Sequence, residues 1–132
     1  MADSGKKVLI ADDEADVHAF VQAALEADGH EIISAMDGQE ALDKARAEAP
    51  DVIILDVQMP KKDGFMVFGE LRADEATQGI PVIMLTSVSA RTGIQFNADT
   101  MGDYIGSEPD AYHDKPIDPV ALRETVAKLI GA

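Results

Sequence analysis

Cysteine and tryptophan are absent from this 132-residue chain, and aromatic residues make up only 5% of it. Without cysteine there are no disulfides, thiolate metal sites or thiol nucleophile, so any nucleophile must be oxygen or nitrogen. Basic residues are scarce: 11 Lys and Arg stand against 25 Asp and Glu, a formal charge of −14. A surface of that sign repels phosphate backbones and anionic headgroups, so neither nucleic acid nor membrane is expected as a direct partner. No apolar run approaches the roughly 20 residues that span a bilayer, and the start lacks the apolar core of a signal peptide, so a cytoplasmic location is expected. What the chain does have is an apolar fraction of 46%, which can fill a core and separates it from acidic disordered tails. One domain over residues 1–132 is expected, with 1–5 as a short tail and no output domain.

Three unbroken apolar runs, Val8–Ala11, Val52–Leu55 and Val82–Leu85, have the look of strands buried on both faces. Weaker strands are expected at Glu31–Ala35 and Ala111–Asp114. Helical periodicity runs from Ala15 to Asp28, with Val17, Phe20, Val21, Ala24 and Leu25 on one face, Asp13 as cap and Gly29 as stop. A second helix is expected over Gln39–Glu48, and a third after Gly64, burying Val67, Phe68 and Leu71. The last helix starts from Asp118 and Pro119 and carries Leu122, Val126, Leu129 and Ile130 on one stripe. Strands alternating with helices predict an α/β fold, an open parallel sheet wound on both sides. Residues 88–110, broken by Gly93, Gly102 and Gly106, are the least legible part.

In such a sheet, ligands bind beyond the carboxyl ends of the strands, where the winding reverses. Asp12 and Asp13 follow the first strand, Asp56 ends the third, Thr86 and Ser87 end the fourth, and Lys115 follows the fifth. Each alone has a plain structural explanation: a helix cap, a polar loop start, a surface lysine. Together they sit at one edge, and carboxylates about 4 Å apart repel by roughly 4 kcal/mol at an effective dielectric near 20, which calls for a cation. Oxygen ligands without cysteine or paired histidine suit Mg²⁺, or Mn²⁺, rather than zinc. A carboxylate beside such an ion, facing a lysine and a hydroxyl, can accept a phosphoryl group, with Asp56 as nucleophile.

The pattern Asp12-Asp13, Asp56-Val57-Gln58-Met59-Pro60, Asp63-Gly64, Leu85-Thr86-Ser87 and Tyr112-His113-Asp114-Lys115-Pro116 resembles the receiver domain of bacterial two-component response regulators, over nearly the whole chain. The resemblance implies a flavodoxin-like doubly wound (βα)5 sandwich with strand order 2-1-3-4-5. It implies Asp56 as the phosphoacceptor, served by a sensor histidine kinase or a histidine phosphotransfer protein. Mg²⁺ would be held by Asp12, Asp13, Asp56 and the backbone carbonyl of Gln58. Lys115 would pair with the phosphoryl group, while Thr86 and Tyr112 would act as switch residues. The product would be a stand-alone signalling protein rather than an enzyme for external substrates, changing its affinity for a downstream protein as a monomer or a phosphorylation-dependent dimer.

Other roles for the same residues are a phosphorelay intermediate, a phosphate sink, or a docking module that is never phosphorylated. An aspartyl phosphohydrolase of the haloacid dehalogenase type needs a second Asp two positions after the nucleophile, where Gln58 stands. A flavodoxin-like electron carrier is disfavoured by Asp12-Asp13-Glu14, which would repel a flavin phosphate. The stretch between Thr86 and Lys115 is longer than the family's, so residues 101–110 are expected to be an insertion or the helix before them displaced. His113 stands where the family has an apolar strand residue and is read as a buried neutral histidine with a satisfied hydrogen bond. His18 is read as surface.

Overall fold

A computed structural model describes residues 6–57, 63–86, 111–114 and 118–130. The strands are β1 (Lys7–Ala11), β2 (Glu31–Ala35), β3 (Val52–Asp56), β4 (Val82–Thr86) and β5 (Ala111–Asp114). The helices are α1 (Ala15–Glu26), α2 (Gly38–Glu48), α3 (Gly64–Ala73) and α4 (Pro119–Ile130). All strand pairings are parallel, in the order β2-β1-β3-β4-β5. This is the doubly wound sheet that the strand pattern and the resemblance predict. The expected helix within 88–110 and the expected insertion at 101–110 lie outside the described residues.

Alternation along the strands builds two cores. Leu9, Ala11, Ile53, Leu55, Val82 and Met84 pack with Leu42 of α2 and Phe68 of α3 on one face. Val8, Ile10, Val52, Ile54, Ile83 and Leu85 pack with Leu25 of α1 and Leu122 and Val126 of α4 on the other. Each residue of the three apolar runs is thus removed from water, which is why these runs carry no polar alternation. Leu129 and Ile130 are only partly buried against the second cluster.

Three expectations for α1 are corrected. Its N-cap is Glu14, with no side-chain cap bond, rather than Asp13, and the helix ends at Glu26. Gly29 supplies the left-handed turn that follows, at φ 83°. The buried stripe is His18, Val21 and Leu25, whereas Phe20 is 40% exposed. The helix is rotated from the expected face because His18 finds a buried acceptor and can take a core position. At α2, the Asp37 carboxylate accepts from the Glu40 N–H at 2.8 Å, and Asp63 caps α3 by accepting from the Met66 N–H at 2.9 Å. Asp118 caps α4 through the Val120 N–H at 3.0 Å.

Glu40 also returns the other half of its cap: its carboxylate accepts from the Met36 N–H at 2.7 Å and faces the Lys44 ammonium at 3.0 Å. The main-chain donor first, and then Lys44, hold this carboxyl below its ordinary value of 4.5. The folded state therefore favours the ionised form, and the stability it lends is present above the ordinary value and lost as pH falls through the lowered one. Glu40→Gln should cost under about 1 kcal/mol at pH 7, the charge being partly screened by water. The deficit should shrink in urea melts at about pH 3.5; a deficit of equal size at both pH values would contradict this.

Candidate functional site

The sheet reverses its winding between β1 and β3, and the strand register brings the acids level. Ala11 pairs with Leu55, so Asp12, the next residue, lies beside Asp56, the last of β3. One carboxylate oxygen from each of Asp12, Asp13 and Asp56 lies within 4.8 Å of the others. Asp12 is fully buried and Asp56 is 5% exposed, while Asp13 reaches the solvent. Strands buried on both faces leave only their ends near water, so the acids at the end of β1 and β3 have nowhere else to go.

The main chain fixes this geometry. The Asp12 N–H donates to the Ala35 carbonyl at 3.1 Å, one Asp12 carboxylate oxygen accepts from the Glu14 N–H at 2.8 Å, and the Asp12 carbonyl accepts from His18 Nε2 at 2.6 Å. On the other side, the Gly64 N–H donates to the Val57 carbonyl at 2.7 Å, seating α3 on the end of β3. A Cβ on Gly64 would stand 2.3 Å from the Asp56 carbonyl oxygen and 2.8 Å from Val57 Cα, so only glycine permits this approach.

Hard oxygen donors so closely grouped, two of them withdrawn from water, fit a small divalent cation such as Mg²⁺ or Mn²⁺, which takes one or two carboxylates and keeps several waters. Among the described residues, this is the one cluster of its kind. Of the other expected site residues, Thr86 closes β4 and Tyr112 lies in β5, in register with Asp114 and Met84 respectively. Lys115 and the carbonyl of Gln58 lie outside the described residues. His113 is half-buried rather than buried, and its Nε2–H donates to Thr125 Oγ1 at 2.8 Å, since that hydroxyl itself donates to the Ala121 carbonyl at 2.9 Å.

His18 is a further correction, being 7% exposed and bonded to the site rather than on the surface. Its spacing of three and seven residues from Val21 and Leu25 was the signal for a buried position. Nothing in the sequence marks the role of Ala35, which acts through its main chain.

The response regulator receiver domain family matches residues 8–127. A probable transcriptional regulator, ycf27 of Guillardia theta, is 42% identical over 129 residues, covering 95% of this chain and 45% of the relative. The chain therefore spans about half the length of such relatives. That name conflicts with the expectation of no nucleic-acid partner, because the −14 charge describes this domain's surface and not the regulators that contain such a domain. Among solved structures, the chemotaxis response regulator CheY4 of Vibrio cholerae is 32% identical with a TM-score of 0.78, covering 94% of this chain and 98% of that one. The receiver domain of a Pseudomonas aeruginosa sensor histidine kinase shares the fold at 24% identity and a TM-score of 0.82, covering 97% of this chain and 99% of that one, and holds a magnesium ion in its active-site cleft.

Gly64→Ala should cost about 3 kcal/mol in urea unfolding, whereas Gly79→Ala, with nothing within 4 Å of its Cβ, should stay within about 0.5 kcal/mol. Equal effects would contradict the close approach at Asp56. Asp13→Asn should raise metal-free stability by about 1 kcal/mol, by relieving repulsion at a solvent-screened site. The same change should remove most of the thermal stabilisation that Mg²⁺ confers; a metal-free loss with the Mg²⁺ effect intact would count against the cation site.

Proposed function

This chain belongs to the receiver-domain family of two-component response regulators, and from that premise we propose that it accepts a phosphoryl group on Asp56 and passes the signal on by a changed contact with a partner protein. Receiver domains take phosphoryl groups from histidine kinases, bind Mg²⁺ at an acidic pocket, and act as signalling proteins rather than as enzymes for external substrates. No helix among the described residues is long and apolar enough to cross a membrane.

The observation that carries the reading is the buried Asp56 carboxylate at the end of β3, within 4.8 Å of oxygens from Asp12 and Asp13. Asp56 attacks the phosphorus of a phosphohistidine; the new O–P bond forms as the N–P bond breaks, and the imidazole leaves with the electron pair. Asp12 and Asp13, with Asp56 and the Gln58 carbonyl, would hold Mg²⁺, which would supply the positive charge that neutralises the acids and spreads the charge of the transferring group. Lys115 pairs with a phosphoryl oxygen. The added charge of about −1.5 to −2 and three acceptor oxygens then draw on Thr86, and Tyr112 follows.

The downstream partner in this reading is a protein that recognises the phosphorylated state, and the name of the Guillardia relative extends the reading to control of transcription where the domain is part of a longer regulator. Release of the phosphoryl group to water or to a second histidine protein completes the cycle.

Intact mass measured after incubation with Mg²⁺ and acetyl phosphate is expected to show one added phosphoryl group on the wild type and none on Asp56→Ala, both folded by circular dichroism. Labelling of Asp56→Ala to the same extent would move the acceptor elsewhere. A wild type that takes no label from acetyl phosphate or from any histidine kinase offered would refute the assignment.

A further inference from the structure

His18 is a buried polar ring that the proposed phosphoryl chemistry does not use. Its Nε2 lies 2.6 Å from the Asp12 carbonyl oxygen, in a buried bond, and its Nδ1 is buried with no hydrogen-bond partner among the described residues. A carbonyl only accepts, so Nε2 must carry the proton, and in the neutral ring Nδ1 is then left as a bare acceptor. An unsatisfied buried nitrogen is unfavourable, and the neighbouring stripe positions of α1, Val21 and Leu25, show that an apolar side chain suits this face. The ring's one contribution that an apolar residue could not make is the bond to Asp12.

That carbonyl belongs to the peptide joining Asp12 to Asp13. The Asp12 N–H is already held by Ala35 and its carboxylate by the Glu14 N–H. Rotation of the Asp12–Asp13 peptide plane would swing the exposed Asp13 carboxylate toward or away from the other two. The Glu14 side chain, at the α1 N-cap, makes no cap bond.

Resting on the cation site of the proposed function, we propose that His18 is a positioning residue: its Nε2–H locks the Asp12–Asp13 peptide and so holds the three carboxylates in the geometry that a divalent cation requires. Partners that orient metal ligands in this way commonly carry 10-fold to 100-fold in affinity, as a general magnitude of about that size.

The test compares wild type, His18→Leu and His18→Gln, the last placing an amide N–H where Nε2–H was. Calorimetric titration with Mg²⁺ is expected to show affinity weakened about tenfold in His18→Leu and largely restored in His18→Gln. Melting in EDTA should show His18→Leu close to wild type, since loss of the bare Nδ1 offsets loss of the donor to the Asp12 carbonyl; a merely structural histidine would lower stability and affinity together. In metal-free protein, amide relaxation at Asp13 should report a looser peptide in His18→Leu and wild-type order in His18→Gln. Unchanged Mg²⁺ affinity, or an Asp13 amide equally ordered in all three proteins, would overturn the proposal. A wild type that binds no Mg²⁺ would instead refute the cation site, and the relaxation data alone would then decide whether His18 locks the peptide.

Discussion

Everything at the functional edge follows from burying two carboxylates of like charge at the reversal point of an apolar sheet. Asp12 and Asp56 follow strands whose other residues are shielded on both faces, so their side chains emerge only at the strand ends. Burying a charge without compensation is strongly unfavourable, and placing a second within 4.8 Å adds repulsion. A fold that keeps this arrangement needs either a cation or a dense set of main-chain donors. Here one Asp12 oxygen has the Glu14 N–H as donor and Asp13 reaches the solvent, which leaves the demand for a cation in place.

The hydrogen bonds that frame this edge come from several parts of the chain. Ala35, at the end of β2, fixes the Asp12 N–H, and Glu14 fixes its carboxylate. Glu40 in turn fixes the Met36 N–H beside Ala35, with Lys44 on its other flank, so that the start of α2 braces the same edge. On the far side, α3 begins so close to Asp56 that a methyl group at Gly64 has no room. The starts of α2 and α3 thus flank the site: Glu40 holds the Met36 N–H next to Ala35, and the Gly64 N–H holds the Val57 carbonyl next to Asp56.

The acidic surface and the family relationship bear on different scales. A charge of −14 over 132 residues makes this domain's own face a poor match for phosphate backbones. Chemotaxis response regulators and probable transcriptional regulators alike contain regions similar to it. One switching unit can serve such different settings because its chemistry is confined to the strand ends, while signalling requires only that some other surface change with it.

Much of this was legible from residues alone. Unbroken runs such as Val52–Leu55 required two-sided burial, the alternation of strands and helices then required a parallel sheet, and that sheet placed Asp12, Asp13 and Asp56 at one edge. The helix start at Asp118 was read from local capping, which needs only a few neighbouring residues, whereas Asp37 and Asp63, which cap α2 and α3 by the same chemistry, were not singled out as caps. What the sequence could not decide depended on partners distant in the chain. The rotation of α1 that exposes Phe20 and buries His18 turns on a hydrogen bond to Asp12, and the demand for glycine at position 64 turns on the carbonyl of Asp56. Periodicity and capping are properties of contiguous residues and can be read in order; the fit of one element's backbone against another's side chain exists only once the chain has folded.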